Sequence, residues 1–290
     1  MILIKETGYS NNLMKKKIFI FGHSGYIGSY LLKFLNNKDF DVFGYKIPRP
    51  DGRNLDNFYK NFIEDFLDIN KNIFCIINSA GSINCETKEE YFFNSRFDVI
   101  FQELITKKKL DMKYLSFNST KVFTNGLDNY ALSKKDLNNN FDKKNKFYTL
   151  YIDLIFEENS PHFKTIKNVI KNMKLFFVPV FFPGKNFYPI DLNAFANTIK
   201  EIIIKDFKIN KFIIIGDKKI YFHELIEHVN KVSSVNRKIL YIPSKLINYF
   251  PLFIKRILLK SKSFQQYENH DWLKDIDTNK FLIRKQNNKF

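Results

Sequence analysis

The short apolar run Ile18-Phe-Ile-Phe21 stops directly at Gly22-His23-Ser24-Gly25-Tyr26-Ile27-Gly28. A helical pattern then takes over, with Ile27, Tyr30, Leu31, Phe34 and Leu35 on one face. Strand, glycine-rich turn and helix in immediate succession is the context that gives a glycine motif chemical meaning. The spacing is G-x-x-G-x-x-G, not G-x-G-x-x-G. Gly22 would make the tight exit from the strand, Gly25 would let the backbone approach a pyrophosphate, and Gly28 would let the helix pack closely on the sheet. Phosphates would then sit at the helix N-terminus, where free N–H groups face negative charge. Ser24, Tyr26 and Ile27 complete the turn and join the three glycines as candidate dinucleotide-binding residues.

Further apolar runs follow at α/β spacing. Asp41–Tyr45 reads as a second strand, Ile73–Asn78 as a fourth, Lys113–Phe117 as a fifth, Phe147–Ile155 as a sixth and Phe212–Ile215 as a seventh. Phe58–Leu67 reads as helix, with a weak third strand somewhere near it. Helical patterns fill 87–107, 130–140, 191–205 and 222–232. This alternation predicts an α/β fold with a doubly wound parallel sheet. After about residue 155 the rhythm becomes irregular, which suits a smaller, interleaved C-terminal substrate lobe. The expected division is a dinucleotide-binding domain over 14–155, with its last strand near 212–216, and a substrate lobe over most of 156–290. Met14 lies just upstream of the first strand, so residues 1–13 read as a disordered extension or an over-called start.

Composition narrows the function classes. The 290 residues carry a net charge of +17, which points first to nucleic acid or an anionic membrane. The basic residues, however, are spread along the whole chain, and no RNP-like, helix-turn-helix or zinc-finger pattern accompanies them. Nucleic-acid binding is not expected. The charge reads as background in a chain rich in Lys, Asn, Ile and Phe. Cys75 and Cys85, the two cysteines, build neither a disulfide framework nor a zinc site, and no metal is expected. No apolar run reaches the length of a membrane span, and residues 1–13 lack the h-region of a signal peptide. A cytoplasmic protein is expected.

Two further stretches carry chemistry. In Tyr130-Ala-Leu-Ser-Lys134 the first and last residues share a helix face. A neighbouring ammonium and a cationic nicotinamide ring would favour the phenolate and make Tyr130 a workable proton carrier near neutral pH. Ser116-Phe-Asn-Ser119-Thr120-Lys-Val-Phe123 lies at the end of the fifth strand, on the sheet edge where open α/β folds bind ligands. Ser119 there could hold a substrate oxygen and orient it toward Tyr130.

Glycine turn, hydroxyl after the fifth strand and Tyr-x-x-x-Lys occur in the order found in the short-chain dehydrogenase/reductase superfamily. Over residues 14–235 the chain resembles its extended branch, the NAD-dependent epimerase/dehydratase family, which includes dTDP-4-dehydrorhamnose reductase-like members. Asn78-Ser79-Ala80-Gly81 is similar to the family's Asn-x-Ala-(Ala/Gly) turn, Asn94 occupies the place of its helix asparagine, and Tyr188-Pro-Ile-Asp191 is similar to its later helix start. The resemblance implies that Tyr130 is the acid/base, that Lys134 lowers its pKa and binds the nicotinamide ribose, and that Ser119 positions the reacting oxygen. It also implies pyrophosphate binding by Gly22, Gly25 and Gly28, with Ala80, Gly81 and Asn94 bordering the cofactor.

The chain departs from the family in its substrate half. Ser119 and Tyr130 are 11 positions apart, about half the usual gap. The family's Arg-Pro after the sixth strand is absent, the stretch reading Tyr151-Ile-Asp-Leu-Ile-Phe156. At the end of the second strand the chain reads Gly44-Tyr45-Lys46-Ile-Pro-Arg49, with no acid until Asp51. An acid there would select NAD, whereas Lys46 and Arg49 could accept a 2′-phosphate, so NADP is favoured over NAD. The implied activity is a redox reaction on a sugar, expected to be nucleotide-linked, in surface polysaccharide or cell-envelope biosynthesis. Thr120 and Lys121 follow Ser119 where a dehydratase needs an extra acid, which favours 4-keto reduction or epimerisation. The alternative is a dinucleotide-binding protein that has lost turnover and acts as a scaffold or regulator. A homodimer is compatible with either.

Other signals are expected to be structural. His223 and His228 are five apart, do not share a helix face well, and read as solvated histidines rather than zinc ligands. The stretch 242–262 combines an apolar stripe with Lys245, Lys255, Arg256 and Lys260. It reads as a helix broken at Pro251 that packs on its own core, with weak membrane-surface contact as the functional alternative. Trp272 reads as a packing anchor, Cys75 as a core residue and Cys85 as a loop thiol.

Overall fold

The computed structural model describes residues 15–48, 54–81, 94–124, 129–140, 146–173, 175–182, 184–233, 236–249 and 272–286. Arg49, Asp51, Cys85, residues 1–13 and the part of 242–262 beyond Tyr249 lie outside the described residues.

Ile18, Phe19, Ile20 and Phe21 are all buried, as an apolar run without alternation requires of a strand covered on both faces. They belong to β1 (Lys16–Phe21), inside a seven-stranded parallel sheet. The other strands are β2 (Phe40–Tyr45), β3 (Ile73–Asn78), β4 (Lys113–Ser119), β5 (Phe147–Ile152), β8 (Lys211–Gly216) and β11 (Leu282–Gln286). Their spatial order is β11-β8-β5-β4-β3-β1-β2. Helices α2 (Leu55–Ile69) and α3 (Arg96–Lys107) cover one face, burying Tyr59, Ile63, Phe66, Phe97 and Phe101 against Phe19 and Phe21. Helices α1 (Tyr26–Leu35) and α6 (Leu192–Ile204) cover the other, with Leu31, Leu35, Phe195 and Ile199 in a second core. The fold is therefore a doubly wound α/β sandwich. Since β1 pairs with both β2 and β3, the chain changes direction across the sheet between β1 and β3, and the carboxyl ends of these strands form the ligand-binding crevice of such sheets.

A smaller unit is built from α5 (Pro161–Asn172), β6 (Phe177–Phe182), α7 (Phe222–Val232) and β10 (Lys238–Pro243) around Phe156, Phe163, Val178, Val180, Leu225 and Val229. Strands β6 and β10 pair in parallel, and β7 (Asn186–Phe187) pairs antiparallel with β9 (Ile220–Tyr221). The remaining helix, α4 (Asn129–Asn140), is part of the site.

Several expectations need correction, while Trp272 and Cys75 are buried as expected. No third strand stands near residues 58–67 among the described residues; the edge position falls to β2, and the helical spacing of Tyr59, Ile63 and Phe66 commits that segment to α2. No strand was expected at 282–286, yet β11 pairs with β8 and completes the sheet. His223 is not solvated: it is buried, with its ring stacked on Tyr221 and edge-on to Phe182, and His228 lies against Phe156 and Phe163. The stretch from Ile242 does not open as a helix of the α kind. Ile242 and Pro243 end β10, where Ile242 pairs with Phe181, and 3-10 helix follows over Ser244–Tyr249. Trp272 is buried, with its ring stacked on Phe123 and edge-on to Tyr188. Cys75 is fully enclosed in the core, and burial pushes its thiol well above the usual range.

Candidate active site

The glycine turn leaves β1 with Gly22 at φ +77°, a conformation that glycine adopts without strain. A Cβ on Gly22 would lie 2.6 Å from the Ala80 amide nitrogen, so the turn presses on the Ser79–Ala80 turn that follows β3. Ser79 closes the same contact by donating its hydroxyl to the Phe21 carbonyl over 2.8 Å. At Gly28 a Cβ would stand 2.3 Å from the Gly22 carbonyl oxygen, which makes glycine obligatory for α1 to dock there. Gly25 differs. It is exposed, it is the N-cap of α1, and its nearest obstacle to a Cβ is 3.3 Å away. Gly25 has no side chain with which to cap this helix end, and no acid occupies its first turn. The amides of Tyr26, Ile27 and Gly28 thus open an anion cradle roofed by no Cβ at Gly25, with Ser24 exposed beside it.

Across the crevice, Lys134 lies on α4, four residues after the half-buried Tyr130. The residue is only 3% exposed, and its ammonium donates to the carbonyls of Phe117 over 2.8 Å and Asn94 over 3.0 Å. Burial pushes Lys134 down to about 8, and the negative charge of Asp98 opposes that fall. Gly81 borders the same ammonium: a Cβ there would be 3.9 Å from Nζ and 3.1 Å from Asn94 Oδ1. Asn94 Nδ2 is 3.4 Å from the Ser133 hydroxyl, which itself donates to the Tyr130 carbonyl over 2.7 Å.

Ser119 ends β4 and accepts from the Lys121 amide over 3.3 Å, so it caps the 3-10 turn Thr120–Phe123. Helix α4 packs on this turn and on β4, with Asn118 Nδ2 donating to the Lys134 carbonyl over 3.0 Å. Lys121 Nζ lies 5.7 Å from the centre of the Tyr130 ring, a second cation beside the phenol. Ser119, Tyr130 and Lys134 are thereby held around the carboxyl end of one central strand. Lys46 is exposed just past β2, whose last carbonyl, that of Tyr45, accepts from the Gly22 amide over 3.1 Å.

Other residues of the site escape the sequence motifs. Glu157 accepts from the Tyr26 hydroxyl, and its second oxygen is 3.4 Å from the Leu192 amide, so it links the glycine turn to the start of α6. Burial and this carboxylate push the Tyr26 phenol well above the usual range. Asp191 caps α6 by accepting from the Ala194 amide over 2.6 Å. The His23 ring occupies the space that a side chain at Gly44 would fill, and its Nδ1 is buried without a hydrogen-bond partner among the described residues. A glycine in β2 was the one sequence sign of that packing. Among the described residues no cluster of histidine, cysteine and carboxylate side chains could hold a metal ion, and no helix is long and apolar enough to cross a membrane.

No protein-family profile and no curated protein matches the sequence. Solved structures do match in three dimensions. A dTDP-4-dehydrorhamnose reductase from Clostridium acetobutylicum superposes with a TM-score of 0.62 at 15% identity, over 89% of this chain and 97% of its own. The dTDP-4-dehydrorhamnose reductase of Bacillus anthracis, in complex with NADP, gives 0.61 at 14% identity over 80% and 85%. The dTDP-glucose 4,6-dehydratase of the same organism, in complex with NAD, gives 0.59 at 14% identity over 79% and 84%. At such identities the likeness establishes the fold.

Proposed function

We propose that the chain is an NAD(P)-dependent oxidoreductase of the extended short-chain type that acts on a nucleotide-linked sugar. The observation that carries this reading is the placement of Lys134. It is buried, bonded to the Phe117 carbonyl two residues before Ser119 and set four residues after Tyr130, and the glycine turn after β1 would take a pyrophosphate. Fold neighbours that contain NADP or NAD and are named for dTDP-sugar chemistry support it.

When bound, the dinucleotide supplies or accepts a hydride at its nicotinamide ring. The chain would do the rest. Gly22, Gly25 and Gly28 leave the α1 amides open to the diphosphate, with Ser24, Tyr26 and Ile27 around them, while Ala80, Gly81 and Asn94 line the opposite wall. An ammonium has three donors, and two of those of Lys134 are held by carbonyls, which leaves the third for a ribose hydroxyl. Ser119 would hold the substrate oxygen. In the reductive direction Tyr130 would pass its phenolic proton to that oxygen as the carbonyl carbon receives hydride, leaving an alcohol and a phenolate reprotonated from water. Lys134 and Lys121 stabilise that phenolate by their charge. Lys46, and Arg49 beyond the described residues, favour NADP through its 2′-phosphate. The absence of an acid at Thr120 and Lys121 favours 4-keto reduction or epimerisation, in a cytoplasmic route to surface polysaccharide.

The test is NADPH and NADH consumption against a panel of nucleotide-linked 4-keto-sugars, with wild type and Tyr130→Phe. Turnover by the wild type alone is expected. If both proteins bind NADPH and neither consumes cofactor nor changes the configuration of any sugar in the panel, the chain is a cofactor-binding scaffold or regulator instead.

A further inference from the structure

One end of the smaller unit exposes apolar side chains among lysines. Leu175 and Phe176, in the turn between α5 and β6, are 44% and 81% exposed, and Val232 at the end of α7 is 38% exposed. Arg237 gathers this end. Its guanidinium donates to the carbonyls of Lys171 over 3.1 Å, Met173 over 2.6 Å and Leu175 over 2.5 Å, which closes the end of α5 and fixes the turn that carries Phe176. The Arg237 amide donates to Asn230 Oδ1 over 3.1 Å and its carbonyl accepts from Asn230 Nδ2 over 2.8 Å, so the last turn of α7 is tied to the same point. Lys171, Lys231 and Lys238 stand at or next to these bonded residues, and all three are exposed.

The charge around this end has one sign. No Asp or Glu occurs in residues 159–190 or 228–267, which supply α5, β6, β10 and the last turn of α7. The two acids of α7 lie in its earlier turns and are occupied: Glu224 accepts from the Tyr221 amide over 2.6 Å, and Glu227 from the Tyr241 hydroxyl over 2.7 Å. Exposed Leu and Phe side chains flanked by unopposed lysines match an anionic bilayer, which offers hydrocarbon and phosphate in one plane. Lysine stems can lie along the apolar layer while their ammonium groups stay at the phosphates. The end is also remote from the crevice. Helix α5 starts beside Glu157, which accepts from Tyr26 of the glycine turn, and at 1.5 Å per residue its last residue lies about 16 Å further along the axis.

We propose that this end of the smaller unit docks on an anionic lipid bilayer. Leu175 and Phe176 enter the boundary between headgroups and acyl chains, and Lys171, Lys231 and Lys238 meet the lipid phosphates. The crevice stays open to cofactor and substrate. No role given to a residue of the crevice enters this argument, so the proposal stands or falls apart from the proposed function.

The experiment sediments the full chain with vesicles of equal parts phosphatidylglycerol and phosphatidylcholine, and with vesicles of phosphatidylcholine alone. The wild type is expected to pellet with the anionic vesicles only and to be released as salt rises. A net charge of +17 would give that much without a specific face, so the variants decide. Phe176→Ser keeps the charge and is expected to weaken the partition by about tenfold or more. Lys171→Gln, Lys231→Gln and Lys238→Gln together are expected to weaken it by about tenfold or more as well. Lys33→Gln, Lys60→Gln and Lys107→Gln together, which remove the same charge from exposed positions on α1, α2 and α3, should have a much smaller effect. In Phe176→Trp the anionic vesicles should shift the emission to the blue, against a wild type whose one tryptophan is the buried Trp272. A wild type that does not pellet, an unweakened Phe176→Ser, equal losses in the two lysine sets or an unshifted Phe176→Trp overturns the proposal. Self-association of the wild type that Phe176→Ser abolishes, with no vesicle binding, also overturns it and makes the face a contact between copies of the chain.

Discussion

Lys134 Nζ donates to the Phe117 carbonyl over 2.8 Å, and this bond ties the lysine of the Tyr-x-x-x-Lys helix to the central strand that ends in Ser119. Spacing on α4 brings Tyr130 and Lys134 to one side, and the bond across to Phe117 fastens that helix to the strand two residues before Ser119. The buried Lys134 ammonium is held by two carbonyls, those of Phe117 and Asn94.

That burial has a consequence for stability. The folded chain holds Lys134 down at about 8, against an ordinary value of 10.5. Between these two pH values the unfolded chain binds more protons at this residue than the folded one, so its contribution to stability rises with pH. Because the group is almost wholly buried, the change amounts to about 3 kcal/mol. Denaturant unfolding of wild type and Lys134→Met at pH 8 and at pH 10 checks this. The wild type should gain relative to the variant as pH rises.

Gly28 and Gly25 should respond differently to alanine. At Gly28 the new methyl meets the Gly22 carbonyl oxygen at 2.3 Å, a backbone clash expected to cost about 2 kcal/mol or more. At Gly25 the nearest contact is 3.3 Å, and stability should change by about 1 kcal/mol or less. The Gly25 methyl would instead intrude on the anion cradle and weaken NADPH binding by about tenfold or more. Thermal melts paired with calorimetric titrations separate the two effects.

Lys46→Ala tests the choice of dinucleotide. Loss of a charge-assisted contact to a 2′-phosphate, worth about 1.5–3 kcal/mol, should weaken NADPH by about tenfold or more and leave NADH affinity unchanged. Equal weakening of both would remove Lys46 from 2′-phosphate recognition.

Trp272 holds the last described segment against the sheet through Phe123 and Tyr188, while β11 closes the edge of β8. Trp272→Ala should lower stability by about 3–5 kcal/mol. Chemical denaturation followed by far-UV circular dichroism measures it. Since Phe123 lies in the turn capped by Ser119, turnover should fall as well.

The amino-terminal half of the sheet was legible because its signals are local. A glycine turn between Phe21 and Tyr26, or a tyrosine and lysine one helical turn apart, can be read within a dozen residues. Strand β6 was not legible, because Pro179 in its middle argues against a strand unless the pairing partner is known. Strand β11, with Arg284 and Lys285 in it, shows no apolar run, and only its place beside β8 makes it part of the sheet. The buried cluster of Asp98 with Asn78 and Tyr114 draws on α3, β3 and β4, and Glu157 meets Tyr26 across 131 positions of chain, so neither leaves a motif.

Hydride transfer from labelled cofactor tests the central claim most directly. The protein is incubated with NADPH deuterated at nicotinamide C4 and a nucleotide-linked 4-keto-sugar, and the sugar is examined by mass spectrometry. One deuteron on carbon in the wild-type product, and none with Tyr130→Phe, is the predicted result. A wild type that binds the labelled NADPH yet leaves every sugar of the panel both unlabelled and unchanged in configuration would contradict it.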